Sequence, residues 1–132
     1  MVRAVQQGQE LPTILLVEDD PLIQGMVEDA LIEGGFKVAI VTSAEDATSL
    51  INGAKALVTD IHLGGGKDGW ELARLARENR PELPIVYMTG AAADEWPSRG
   101  VPNSILLTKP FAPAQLVTAV SQLLNSSMPP GP

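Results

Sequence analysis

Short apolar runs alternate along this chain with segments whose apolar residues recur at helical spacing. The first run, Thr13–Val17, ends in Glu18, Asp19 and Asp20. Asp20 is a good N-cap and Pro21 stands where a first helical residue needs no N–H, so a helix follows. Leu22, Ile23, Met26, Val27, Ala30 and Leu31 give that helix its face, and Gly34-Gly35 ends it. Residues 36–41 form a second strand. Ser43 caps a helix carrying Ala47, Leu50 and Ile51, which Asn52-Gly53 closes.

A third strand over 55–59 delivers Asp60 at its C-terminal end, and a glycine-rich loop covers 61–67. Asp68, with Glu71 three residues on, starts a helix with Leu72, Leu75 and Ala76 on one face. Residues 84–88 make a fourth strand ending at Thr89-Gly90, and 105–107 a fifth ending at Thr108-Lys109-Pro110. Pro113 opens a last helix faced by Leu116, Val117, Val120, Leu123 and Leu124. Between strands four and five, Pro97 and Pro102 leave room only for a short or irregular fourth helix. Five unbroken apolar strands alternating with helices predict an α/β fold, a five-stranded parallel sheet covered on both faces. The ordered domain is expected over 12–125, with a flexible arm at 1–11 and a disordered Pro/Gly-rich tail at 126–132.

Composition narrows the chemistry. The chain has 132 residues, enough for one domain, and 45% of them are hydrophobic against 4% aromatic. The core must therefore be aliphatic. A net charge of −7 argues against direct nucleic-acid binding, since Glu78 interrupts the nearest basic group, Arg74, Arg77 and Arg80. With no cysteine and one histidine, thiolate zinc sites and multi-histidine metal sites are excluded. No apolar run approaches the roughly 18 residues of a membrane span, and residues 1–10 lack a signal-peptide core. A soluble, cytoplasmic domain is the expectation.

In an open parallel α/β sheet, sites form beyond the carboxyl ends of the strands. Here those ends carry Glu18, Asp19, Asp20, Asp60, Thr89 and Lys109. Two carboxylates about 4 Å apart repel by roughly 4 kcal/mol at an effective dielectric of 20. Such a group needs protons or a cation, and hard oxygen donors without nitrogen or sulfur suit Mg²⁺. Lys109 adds a cation and Thr89 a hydroxyl, a set able to support phosphoryl transfer onto Asp60. Asp20 is read as a cap alone. The Gly64-Gly65-Gly66-Lys67 stretch lacks the spacing of a phosphate-binding loop. Trp70 is expected to pack at the start of the third helix and Trp96 to cover the fourth segment.

Val17-Glu18-Asp19-Asp20, Asp60 after its strand, Met88-Thr89-Gly90 and Thr108-Lys109-Pro110-Phe111 together resemble the receiver domain of two-component response regulators. The match in order and spacing runs over roughly residues 13–125. It implies the flavodoxin-like fold with strand order 2-1-3-4-5, and Asp60 as phosphoacceptor for a histidine kinase or histidine phosphotransfer protein. It further implies Mg²⁺ (or Mn²⁺) held by Asp19 directly, by Glu18 mostly through water, by Asp60, and by the backbone carbonyl of His62. Thr89 becomes the switch hydroxyl and Lys109 the lysine that pairs with the phosphoryl group, across a cis Lys109–Pro110 bond. A stand-alone monomer or weak dimer switching a downstream protein partner is expected, with no activity beyond its own phosphorylation and dephosphorylation. The alternatives are a scaffold that is never phosphorylated and an aspartyl-phosphate hydrolase. Three departures stand out: Leu106 where the family usually has an aromatic residue, three glycines in the loop after Asp60 where it commonly has proline, and a shortened segment at 91–103 where the family's fourth helix should lie.

Overall fold

The computed structural model describes residues 11–126; the expected arm, but for residue 11, and the expected tail, but for residue 126, lie outside them. Five parallel strands, β1 (Thr13–Val17), β2 (Lys37–Val41), β3 (Ala56–Asp60), β4 (Ile85–Thr89) and β5 (Ser104–Thr108), lie in the order β2-β1-β3-β4-β5. Five helices connect or follow them: α1 (Pro21–Glu33), α2 (Ala44–Thr48), α3 (Gly69–Asn79), α4 (Trp96–Arg99) and α5 (Pro113–Ser126).

Side chains alternate across the sheet and build two cores. On one face Leu15, Val17, Leu57, Ile85 and Tyr87 meet Ala44, Ala47, Trp70, Leu72, Ala73 and Ala76 of α2 and α3. On the other, Ile14, Leu16, Val58, Val86 and Met88 meet Val27 and Leu31 of α1 and Leu116, Ala119 and Val120 of α5. With both faces covered, β1, β3 and β4 have no side that needs polar residues, which is why they read as continuous apolar runs.

The capping residues act as expected. Asp20 accepts the Leu22 N–H at 2.9 Å, Ser43 Oγ accepts that of Asp46 at 3.1 Å, and Asp68 accepts that of Glu71 at 2.9 Å. Helix α1 ends in a Schellman turn: the Phe36 N–H reaches the Leu31 carbonyl and that of Gly35 the Ile32 carbonyl. Phe36 is thereby held in the turn, so β2 starts at Lys37, one residue later than the apolar run suggests.

Two helices differ from expectation. Helix α2 stops at Thr48, whose hydroxyl donates to the Ala44 carbonyl, and a separate 3-10 turn covers Ile51–Gly53. Such back-bonding competes with helix continuation. Ala47 and Ile51 still face the core, but Leu50, expected beside them, is 41% exposed. In the fourth connection, a 3-10 turn over Ala93–Glu95 leads into the single turn of α4. Pro97 falls in the first turn of α4, where it is tolerated, rather than ending the helix. Trp70 is buried at the start of α3. Trp96 lies over Gly100, with its indole N–H donating to Ser104 Oγ at 3.0 Å.

Candidate functional site

The strand order reverses between β1 and β3, and the chemistry-bearing residues gather at the carboxyl rim around that point. Glu18 continues β1 by one residue, its N–H bonded to the Val41 carbonyl at 3.1 Å, and its side chain is fully buried. Its Oε2 accepts the Asp20 N–H at 3.0 Å, and its backbone carbonyl accepts the Gln24 side-chain amide at 2.5 Å. Asp60 ends β3 and is 7% exposed. Asp19 lies exposed beside them. One carboxylate oxygen from each of Glu18, Asp19 and Asp60 lies within 4.8 Å of the others, so three of the four expected metal ligands come together through their side chains. His62 stands two residues beyond Asp60 with its side chain exposed and outside that group.

Lys109 reaches the same group from β5. Its N–H bonds the Thr89 carbonyl at 2.7 Å, prolonging the β4–β5 ladder, and the Lys109–Pro110 bond is cis as expected. The ammonium lies 3.2 Å from Glu18 Oε1 and 3.3 Å from Asp60 Oδ2. Burial pushes the Glu18 carboxyl above its ordinary value, and the nearby Asp60 adds to this against the Asp20 N–H and Lys109. For Lys109 burial acts downward, but attraction to Asp60 and Glu18 outweighs it and the ammonium titrates above its ordinary value. Three carboxylates thus face one ammonium at a partly desolvated rim. The donor set is all oxygen, close enough to share one ion, and carries surplus negative charge, so it fits Mg²⁺.

Thr89 is fully buried at the end of β4, and its hydroxyl oxygen accepts the N–H groups of Ala91 at 3.1 Å and Ala92 at 2.9 Å. It therefore caps the start of the fourth connection at the same rim. Asp20 caps α1 and takes no part in the group of three.

Several residues that shape the site carry no functional signature in the sequence. Gly69 opens α3 against the backbone of Asp60: a Cβ there would lie 2.2 Å from the Asp60 carbonyl oxygen and 2.9 Å from the Ile61 Cα. A glycine directly after the cap Asp68 is the one hint the sequence offers. The loop between β3 and α3 is closed at its neck by the Gly69 N–H on the Ile61 carbonyl at 2.8 Å. At its tip Gly64, Gly65 and Gly66 have φ of 65°, 57° and 64°, a left-handed run that side-chain-bearing residues resist. Glu45, on the first turn of α2, accepts the Lys67 N–H at 3.2 Å, and that bond holds its carboxyl below the ordinary value.

Among the described residues no helix is long and apolar enough to cross a membrane. A family model described as the response regulator receiver domain matches residues 14–121. Response regulator protein FleR of Pseudomonas aeruginosa is 29% identical over 120 residues, covering 88% of this chain and 25% of that protein. A response regulator receiver protein of Anaeromyxobacter sp. is 38% identical over 109 residues, covering 81% of this chain and 43% of that protein. The chain thus spans less than half the length of these two curated relatives. Among solved structures, a response regulator receiver protein from Sinorhizobium medicae superposes with a TM-score of 0.86 at 47% identity, covering 89% of this chain and 98% of that one. The receiver domain of a sensor histidine kinase from Pseudomonas aeruginosa, crystallised with a magnesium ion coordinated in its active site cleft, gives 0.77 at 28% identity, covering 89% and 100%. Motif order, sheet topology, rim geometry and the family match agree, and the chain belongs to the response regulator receiver domains of two-component systems.

Proposed function

We propose that this domain accepts a phosphoryl group on Asp60 from the phosphohistidine of a histidine kinase or histidine phosphotransfer protein, and that this changes a surface read by a protein partner. The observation that carries the proposal is the position of the Lys109 ammonium, bonded at once to Asp60 and Glu18, within the group that also holds Asp19. Glu18, Asp19 and Asp60, with the His62 carbonyl, would hold Mg²⁺ (or Mn²⁺). When bound, the ion neutralises charge on the transferring phosphoryl oxygens.

The remaining roles fall to the chain itself. An Asp60 carboxylate oxygen attacks phosphorus as the bond to the donor's imidazole nitrogen breaks; that nitrogen keeps the electron pair. Lys109, already oriented by Glu18, pairs with a phosphoryl oxygen and offsets the added negative charge of about two units. Thr89 donates its hydroxyl to the phosphoryl group. Both its lone pairs now serve Ala91 and Ala92, so swinging toward Asp60 loosens the cap of the fourth connection. The activity ends at one acyl phosphate per chain and its hydrolysis, which sets the domain apart from a turnover enzyme.

Incubation with acetyl phosphate and Mg²⁺, followed by intact mass, tests this directly. The reading requires a gain of one phosphoryl group that depends on Mg²⁺ and disappears in Asp60→Asn. A silent scaffold would show no gain even with a phosphorylated histidine donor. A hydrolase would instead turn over many phosphoesters.

A further inference from the structure

The loop of residues 61–68 has few attachments. Ile61 and Leu63 are buried, and the Gly69 N–H closes the neck. Its tip, the left-handed glycine run, lies between two carboxylates. On one side the Cβ position of Gly64 is 3.8 Å from Asp19 Oδ2. On the other, Glu45 accepts the Lys67 N–H and fills the space beside Gly66, whose Cβ position is 2.6 Å from Glu45 Oε2. The loop therefore leaves the site at Asp60, passes Asp19, and is tied down by Glu45 of α2, which lies outside the group of three carboxylates.

We infer that Glu45 is a positioning residue: by accepting the Lys67 N–H it holds the glycine loop against Asp19 and so sets the affinity of the acid group for Mg²⁺. The inference rests on the proposed reading of Glu18, Asp19, Asp60 and the His62 carbonyl as the metal site. His62 belongs to this loop, so the carbonyl can be presented steadily only if the loop is held. Three glycines in succession have more unfolded and alternative conformations open to them than any other residues, so the tie at the tip counts for more here than on a stiffer loop. Partners that orient ligands without binding the metal typically tune its affinity. Gly66 suits the arrangement twice, through its positive φ and through the room it leaves for the Glu45 carboxylate.

Glu45 also carries charge near an acidic rim, so its removal would act electrostatically as well. The two effects separate by substitution. Glu45→Ala removes both the acceptor and the charge, whereas Glu45→Gln keeps an acceptor oxygen and loses only the charge. Calorimetric titration of the full chain with MgCl₂, alongside thermal melting without metal, reads them out. Glu45→Ala is expected to bind Mg²⁺ about fivefold more weakly, the scale of one ordinary hydrogen bond. Glu45→Gln is expected to stay close to wild type, and all three proteins to melt at similar temperatures without metal. Equal Mg²⁺ affinity in wild type and Glu45→Ala overturns the inference. Equal weakening by Ala and Gln also overturns it, because charge alone then accounts for the effect. Should wild type itself bind no Mg²⁺, the reading of the site falls and takes the inference with it. Wild type taking Mg²⁺ and a phosphoryl group while Glu45→Ala is unaltered removes the inference alone.

Discussion

The hydroxyl of Tyr87 accepts the backbone N–H of Val101 at 3.1 Å, tying the middle of β4 to the segment that enters β5. Tyr87 is fully buried, its ring centroid 4.7 Å from that of Trp70, and it stands beside Leu106 in the β4–β5 register. Leu106 is the position where receiver domains usually carry an aromatic residue. In this chain the aromatic ring beside it belongs to the neighbouring strand and is fixed at both ends, by a tilted contact with the Trp70 ring and by its bond to Val101. Arg99 extends the contact, its guanidinium 5.9 Å from the Trp70 ring and 3.6 Å from Asp68. The fourth connection is thus fastened to the start of α3 as well as to β4.

Tyr87→Phe keeps the ring and removes only the acceptor. The Val101 N–H then loses its partner, at a cost of about 1 kcal/mol, which lowers the melting temperature by roughly 3–5 °C in a domain of this size. Phosphorylation at Asp60 should survive. Hydrogen exchange at the Val101 amide should quicken, and unchanged exchange there would show that the hydroxyl contributes nothing to holding the segment.

Gly69→Ala brings a Cβ into the Asp60 carbonyl, a backbone atom that cannot turn aside. Either α3 or the end of β3 must shift. A loss of about 3 kcal/mol is expected, measured by denaturant unfolding, together with a fall in the rate of phosphorylation by acetyl phosphate. A variant as stable and as reactive as wild type would mean that the close approach of α3 does not set the position of Asp60.

How much of this was legible in the sequence depends on how local each cause is. Helix α1 follows from Asp20, Pro21 and Gly34-Gly35, all within the helix or beside it, and the prediction holds to the residue at its start. Rim residues could be found because strand order and the ends of apolar runs place them, whatever the packing. Leu50 departs from its expected place for a different reason: helical periodicity runs through Thr48 and Ser49 in the sequence, but their hydroxyl chemistry favours a break. The contact of Glu45 with residues 66 and 67, and that of Gly69 with Asp60, arise only when α2, β3 and α3 pack. No spacing rule connects position 45 to position 67.

Glu18 gives a pH dependence of definite sign. Its folded carboxyl titrates above the ordinary value of 4.5, chiefly because it is buried, so the folded protein holds that proton more tightly than the unfolded chain does. The contribution of Glu18 to stability therefore falls as pH rises from 4.5 through the folded value, and is unfavourable at neutral pH. Glu18→Gln should raise the melting temperature of the metal-free protein at pH 7 relative to wild type, with the difference shrinking toward pH 4. With MgCl₂ the order should narrow or reverse, because the wild-type carboxylate gains a cation. Melting curves of both proteins across that range, with and without MgCl₂, check the sign.

Lys109→Met keeps the length of the stem but leaves Glu18 and Asp60 without their cation. Both carboxylates are nearly buried while the lysine side chain is 22% exposed, so the metal-free variant should lose about 2 kcal/mol, less than a fully buried broken pair would. Because the Lys109 ammonium titrates above its ordinary value of 10.5, the stabilisation it gives wild type is complete below that value and fades as pH rises through the folded one. The stability gap between wild type and variant should accordingly close at strongly alkaline pH. Mg²⁺ should stabilise the variant more than wild type, since the ion replaces the missing positive charge between the same two carboxylates. Phosphorylation should nevertheless slow by about 100-fold, because an ion holding the acids together does not restore an ammonium aimed at the phosphoryl oxygen. Equal Mg²⁺ stabilisation of the two proteins would show that Lys109 does not share the field of the metal-binding acids. Equal phosphorylation rates would remove it from the transfer step.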